Sequence, residues 1–185
     1  MKIRIARKDD SPAIAEIYAP IVTQTHISFE LEPPGADEMW GRMAKALESH
    51  VGLVAEEAGN VMGYAYASKY REKPAYKWST ETTIYVRDSA RGKGVGSGLY
   101  KTLLRILAAQ NYRQAFGGIA LPNAGSIALH EAVGFKRVGV NPEAGYKHGR
   151  WHDLGWWSFQ LNTGDDAPAS PLPLPALGDL KRFME

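Results

Sequence analysis

The sharpest chemistry-bearing run in the chain is Arg91-Gly92-Lys93-Gly94-Val95-Gly96-Ser97. Alternate glycines let a backbone approach a ligand closely and turn several N–H groups to one side. Between a strand and a helix, such a run also carries the partial positive charge of the helix N-terminus, which suits a pyrophosphate. Arg91 and Lys93 add full charges at the rim. Two familiar phosphate motifs do not fit. The triphosphatase loop needs Gly-x4-Gly-Lys-Ser/Thr, and the lysine here stands between the first two glycines. The dinucleotide pattern needs Gly-x-Gly-x-x-Gly, and Ser97 occupies the place of its last glycine. On this segment alone, a glycine-rich turn capping a helix stays open. Glu81 is the second candidate, set in a run of threonines and apolar residues. In an extended strand Glu81, Thr83 and Tyr85 share one face. A partly desolvated carboxylate there has a raised pKa and suits a general base; a strand-edge salt bridge is the plain alternative. His148 and His152 stand four apart, but Gly149 spoils a helix between them and no third ligand is apparent, so no metal is expected.

These residues need elements to hold them. Lys2 to Ala6 alternates as an edge strand, and Ser11-Pro12 supplies an N-cap and an N1 proline for a helix carrying Ile14, Ile17, Tyr18 and Ile21. A second helix is expected from Ala36 to Glu48, with Met39, Trp40, Met43 and Leu47 on its apolar face. Gly52 to Glu57 and Val61 to Ser68 read as strands around a Gly59-Asn60 turn. Ser79 to Val86 reads as a strand leading to the glycine run, and Val95 to Gln110 is the clearest helix. A strand near Gln114 to Leu121, a helix from Asn123 to Val133, and strands around Lys136 to Val140 and Leu154 to Leu161 complete a mixed sheet with helices on its faces.

With 185 residues the chain has about one domain's length on the usual prior of roughly 100–200. Hydrophobic residues at 44% and charged ones at 23% fit a globular chain and not a disordered one. The formal charge of +2 gives no electrostatic reason to expect nucleic acid or a membrane surface as partner. No cysteine is present, which excludes disulfides, a cysteine nucleophile, an acyl-cysteine intermediate and thiolate zinc. Met1 to Asp10 has no apolar targeting segment, and no run approaches the ~20 apolar residues of a membrane helix, so a cytoplasmic protein is expected. Residues 1–162 read as one unit. Residues 163–185 carry prolines at 168, 171, 173 and 175, and read as an extended tail, laid on the domain or on a partner, or disordered.

Arg91-x-x-Gly94-x-Gly96, following Ile84-Tyr85-Val86, resembles the acyl-CoA motif of the GNAT N-acetyltransferases (Arg/Gln-x-x-Gly-x-Gly/Ala). A second piece lies at the expected distance: Asn123-x-x-Ser126, then Leu129-His130-Glu131, then Gly134-Phe135. The likeness extends to the phosphinothricin and methionine sulfoximine/sulfone acetyltransferases. Ala75 to Val86 is similar to their substrate strand, and Gly96 to Tyr100, Leu121-Pro122-Asn123 and the stretch from Gly145 to Asp153 are similar too, while Asn141-Pro142-Glu143 is not. The resemblance implies an α/β (α+β) GNAT acyl-CoA N-acyltransferase fold, a mixed central sheet flanked by helices on both faces. It implies acetyl-CoA as co-substrate, no metal, and a homodimer using the aromatic C-terminal strands. Carried over by residue, the main chain of Ile84, Tyr85 and Val86 would pair with the pantetheine arm and acetyl group like another strand. Arg91, Gly92, Lys93, Gly94, Val95, Gly96 and Ser97 would hold the pyrophosphate, and Asn123, with Ser126 beside it, would meet the arm from the opposite wall. Arg71, Glu72, Lys73, Glu81, Thr82 and Thr83 would border the acceptor amine, with Phe29 and Tyr76 as pocket walls.

The residue types suit that chemistry. Acyl transfer from a thioester needs an unprotonated amine, and a base that takes the proton contributes ~10²–10⁴-fold. Glu81 is the candidate, and the Val86 N–H would stabilise the oxyanion. The leaving thiolate has a pKa of roughly 8.5 by analogy with cysteine, so a strong acid is unnecessary. His130 stands where many members of this superfamily have a tyrosine. It would protonate or hydrogen-bond the sulfur, or else pack beside Ile127 and Val133. Arg71 can grip acceptor oxygens bidentately and Lys73 can act as a point charge, unless both belong to a solvated loop. Trp151, Trp156 and Trp157 are expected in core and interface packing. The expected function is acetylation of the α-amine of phosphinothricin, methionine sulfoximine, methionine sulfone or a similar acceptor, by direct attack in a ternary complex. Another amine, such as a polyamine or a protein N-terminus, and a non-catalytic acyl-CoA-binding module are the alternatives; two basic residues in the 71–73 loop disfavour a polycation.

Overall fold

The computed structural model describes residues 1–164 and 167–184. Seven strands, β1 (Lys2–Ile5), β2 (Gly52–Glu57), β3 (Asn60–Lys69), β4 (Ser79–Val86), β5 (Gln114–Ala120), β6 (Lys136–Lys147) and β7 (Arg150–Gln160), form one sheet in the order β1-β2-β3-β4-β5-β7-β6. All neighbours are antiparallel except β4 and β5. Helices α1 (Ser11–Gln24) and α2 (Ala36–Ser49) bury Ile14, Ile17, Val22, Met39 and Met43 against one face. On the other face lie α3 (Val95–Ala109), through Leu99, Leu103, Ile106 and Leu107, and α4 (Ala124–Ala132), through Ile127 and Leu129. This mixed sheet, covered by helices on both sides, is the architecture expected from the sequence.

Several local boundaries differ from the sequence reading, each for a visible reason. Helix α1 begins at Ser11 with Asp10 as N-cap, one residue early, because the Asp10 carboxylate is bonded to the Arg4 guanidinium and the Arg7 N–H. The β2–β3 turn is Ala58-Gly59, both at positive φ, with Glu57 facing Asn60. Strands β6 and β7 run far beyond the expected Lys136–Val140 and Leu154–Leu161. Register shifts between Arg137 and Gly139, and between Asn141 and Gly145, break the alternation that marks a strand, while the hairpin continues to a turn at His148-Gly149. The proline-bearing segment lies along the end of the sheet. Leu174 is buried in the α3-side core, Leu172 N–H donates to Gln110 O (2.8 Å), and the Trp78 indole donates to Ala169 O (2.9 Å).

The fork between β4 and β5 matters most for the site. The two strands pair only at Ser79–Gln114, Thr80–Ala115 and Glu81–Phe116 and then diverge, while β5 keeps its full pairing with β7. At the apex the Thr82 hydroxyl donates to Phe116 O (3.1 Å). Just past it, on β5, a Cβ on Gly117 would lie 2.6 Å from His130 Nε2. The absence of a side chain there lets the imidazole lie directly over β5 beside the fork.

Candidate active site

The fork opens into a cavity of about 690 Å³ that reaches from the glycine run to the α1–α2 loop. Beyond Glu81 one edge of β4 has no strand partner. The Arg87 N–H donates to Met62 O on β3 (2.8 Å), and strand residues alternate the side to which they direct N–H and C=O. Ile84 and Val86 therefore turn their backbone groups away from β3, into the gap. An unpaired strand edge of this kind fits an extended, amide-bearing ligand. At the end of β4, Gly94 takes φ +80° as the N-cap of α3 and supplies no side-chain cap, and Gly92 lies at φ +72°. The first-turn N–H groups of α3 have no partner within the helix and meet the cavity from Val95, Gly96 and Ser97. Together with the Arg91 guanidinium, which is paired at 3.2 Å with Asp88, they form a cradle suited to an anionic pyrophosphate. These residues fit coenzyme A.

The opposite wall comes from β5 and α4. Asn123 caps α4, its Oδ1 accepting from the Ser126 N–H (3.1 Å), which leaves its amide NH₂ for a ligand. His130 is buried with both ring nitrogens engaged. Nδ1 stands 2.7 Å from Ser126 O, an acceptor, so Nδ1 carries the proton and Nε2 accepts from the Tyr100 hydroxyl at 2.7 Å. Burial pushes the His130 pKa down, against the bond to Ser126 O, and favours this neutral tautomer. Tyr100 in turn lies 3.3 Å from Thr82 Oγ1, and burial raises its pKa strongly.

Glu81 lines the cavity where the two walls meet. Burial raises its carboxyl pKa, and the Arg71 guanidinium, 3.8 Å away, opposes the shift. Thr83 follows on the same face, while Ile27, Ser28 and Phe29 of the α1–α2 loop close the cavity across from it. Of the residues assigned to coenzyme from the sequence, the cavity gathers every one but Lys93, which is exposed. Of those assigned to the acceptor, Phe29, Glu81, Thr82 and Thr83 line it and Arg71, Glu72, Lys73 and Tyr76 do not. Arg71 stacks over Tyr70 (4.1 Å) and reaches the site only through Glu81. Glu72 turns away to pair with Lys69, Lys73 is exposed, and Tyr76 packs edge-on to Tyr70. These four stand on a segment that leaves the sheet after β3, so proximity in sequence did not carry them into the cavity. Sequence reasoning missed Tyr100 and Ser28: the first has the spacing of a core residue on α3, and the second stands in a loop without periodicity.

The family model described as "Acetyltransferase (GNAT) domain" matches residues 3–156. A phosphinothricin N-acetyltransferase of Alcaligenes faecalis is 41% identical over 165 residues, covering 88% of this chain and 84% of that one. An L-methionine sulfoximine/L-methionine sulfone acetyltransferase of Pseudomonas paraeruginosa is 35% identical, covering 90% of this chain and 98% of that one. Among solved structures, a phosphinothricin acetyltransferase from Sinorhizobium meliloti in complex with acetyl-CoA superposes with a TM-score of 0.86 at 36% identity, over 90% of this chain and 92% of that one. A chain matched from Ile3 to Trp156 by that family, with relatives of this identity and coverage, belongs to the GNAT acetyltransferases and is an acetyl-CoA-dependent N-acetyltransferase.

Proposed function

We propose that the enzyme acetylates the α-amine of a small amino-acid-like acceptor of the phosphinothricin or methionine sulfoximine/sulfone type, with Glu81 as general base. The observation that carries the reading is the position of Glu81, a half-buried carboxylate with a raised pKa at the junction of the coenzyme cleft and the α1–α2 loop. The names of the relatives support the acceptor class. Acetyl-CoA supplies the activated acyl group when bound along β4. Glu81 takes a proton from the acceptor ammonium, directly or through one water; the freed amine then attacks the carbonyl, the C–N bond forms, the C–S bond breaks, and the second amine proton goes to the departing thiolate or to solvent. The Val86 N–H, turned into the gap, meets the negative charge that gathers on the carbonyl oxygen. With no cysteine in the chain an acyl-cysteine intermediate is excluded, and this reading takes the transfer as direct, within a ternary complex. His130 does not reach the sulfur as a free acid in this reading; its ring is held by Ser126 O and Tyr100, and it sets the floor of the acetyl site. Arg71, 3.8 Å from Glu81, is the cation this reading offers to an acceptor carboxylate. A homodimer belongs to the same reading, supported by the exposed Val138, Tyr146 and Trp151 of the β6–β7 hairpin.

The test is thiol release from acetyl-CoA with L-phosphinothricin, methionine sulfoximine, methionine sulfone, ordinary amino acids and spermidine, using wild type and Glu81→Gln. Turnover on the first three, reduced ~10²-fold or more in the variant with the acetyl-CoA KM unchanged, is expected. Turnover on spermidine alone moves the acceptor elsewhere, and acetyl-CoA binding without turnover on any amine makes the chain a binding module.

A further inference from the structure

The stretch from Gly145 to Asp153 takes no part in the chemistry above, yet it holds a buried charge. Lys147 near the end of β6 is 5% exposed, and its ammonium donates to Val22 O (2.6 Å), Ser28 O (2.7 Å) and Glu30 O (2.7 Å). An ammonium has three protons, so all are used, and only the charged form can make all three bonds. Val22 O belongs to the last turn of α1, where carbonyls lack helical partners and a cation meets the negative end of the dipole. Ser28 and Glu30 flank Phe29. Two residues before Lys147, Gly145 leaves the space that the Phe29 ring occupies: a Cβ there would lie 2.6 Å from ring carbons. His152, opposite Gly145 on β7, stands 6.4 Å from the Phe29 ring, donates from Nε2 to Lys147 O (3.0 Å) and stacks on His26 (4.5 Å). The hairpin end thus forms a seat for residues 25–30. Phe29 itself belongs to neither apolar core cluster, so what the seat holds is cavity wall.

We propose that Gly145 and Lys147 are positioning residues for acceptor selectivity: they seat Phe29 in the acceptor wall and so decide which acceptor side chains the cavity takes, without touching the acceptor. This rests on the reading of that wall as the acceptor side.

Lys147→Met and Gly145→Ala in the full chain, each alone and with Phe29→Ala, test it by thiol release with methionine sulfone and with alanine. Each single variant is expected to raise the methionine sulfone KM roughly tenfold, keep the acetyl-CoA KM within about twofold, and change the kcat/KM ratio of the two acceptors about fivefold or more. With Phe29→Ala these changes shrink to about twofold or less, because all act through one ring. Undiminished effects in that background, or a uniform loss of kcat with the ratio unchanged, overturn the proposal. Hydrogen exchange needs no acceptor: amides of residues 24–31 should exchange roughly tenfold faster in Lys147→Met while those of α3 do not change. Wild-type exchange there also overturns it. Should Lys147→Met not fold, Gly145→Ala carries both measurements. If wild type acetylates neither acceptor, the functional reading fails, and exchange still decides the seat.

Discussion

A carboxylate makes a poor base in water and a better one where water is scarce, and Glu81 shows how one residue is tuned between the two. Burial raises its pKa while Arg71, 3.8 Å away, restrains the rise. Only the ionised form accepts a proton, so kcat/KM should fall as pH drops through a value above the ordinary carboxylate pKa of about 4.3. Arg71→Gln removes the restraint, and the acidic limb of the pH–rate profile should move further upward; a limb unchanged by that substitution would show that Arg71 does not act on the base. Glu81 was legible because a charge in a threonine-rich, apolar strand is chemically out of place. Tyr100 was not, because on α3 it stands beside Leu99 and Leu103 and only the fold brings its hydroxyl to His130. Lys147 lies inside the Gly145–Asp153 stretch and its residue type alone assigns it nothing; its purpose depends on a loop more than a hundred residues earlier in the chain.

Among the elements, the strand-to-helix junction was readable from types alone, since glycines followed by a strongly amphipathic helix leave few alternatives. The fork was not. Nothing in the sequence of β4 or β5 announces that pairing stops at Glu81 and Phe116, nor that Gly117, just past that point, leaves room for the His130 ring over the sheet. Gly117→Ala should therefore act at the apex. Moving the ring costs ~1–3 kcal/mol on the usual scale for overpacking. Denaturant unfolding should show that loss, together with weaker acetyl-CoA binding by calorimetry, whereas wild-type values in both would mean that the ring has room to give. The C-terminal hairpin was half legible. Its bulges broke the alternation from Asn141 to Gly145, and the reading stopped where the pattern stopped.

At the scale of the whole molecule, the hairpin projects Val138, Tyr146 and Trp151 into solvent at 62%, 58% and 58% exposure, an apolar surface of the kind a second chain could cover. Sedimentation equilibrium should give the mass of two chains, and Trp151→Glu should shift it toward one; a single-chain mass for wild type would refute the dimer. The proline-bearing segment lies at the opposite end of α3 from the glycine cradle, with Leu174 in the core and Gln110 and Trp78 holding its backbone. The fork has one further consequence. In the strand order β1-β2-β3-β4-β5-β7-β6 everything before the fork comes from the first part of the chain and everything after it from the second. From strand to strand the polypeptide passes between the two groups once, through the link between Ala109 and Gln114, and only the proline-bearing segment returns to the first group. Partition in space thus coincides with partition in sequence, and a cut at that link would yield two contiguous fragments, each with its own share of the sheet. Two such halves would meet at the fork, along the gap proposed for the coenzyme.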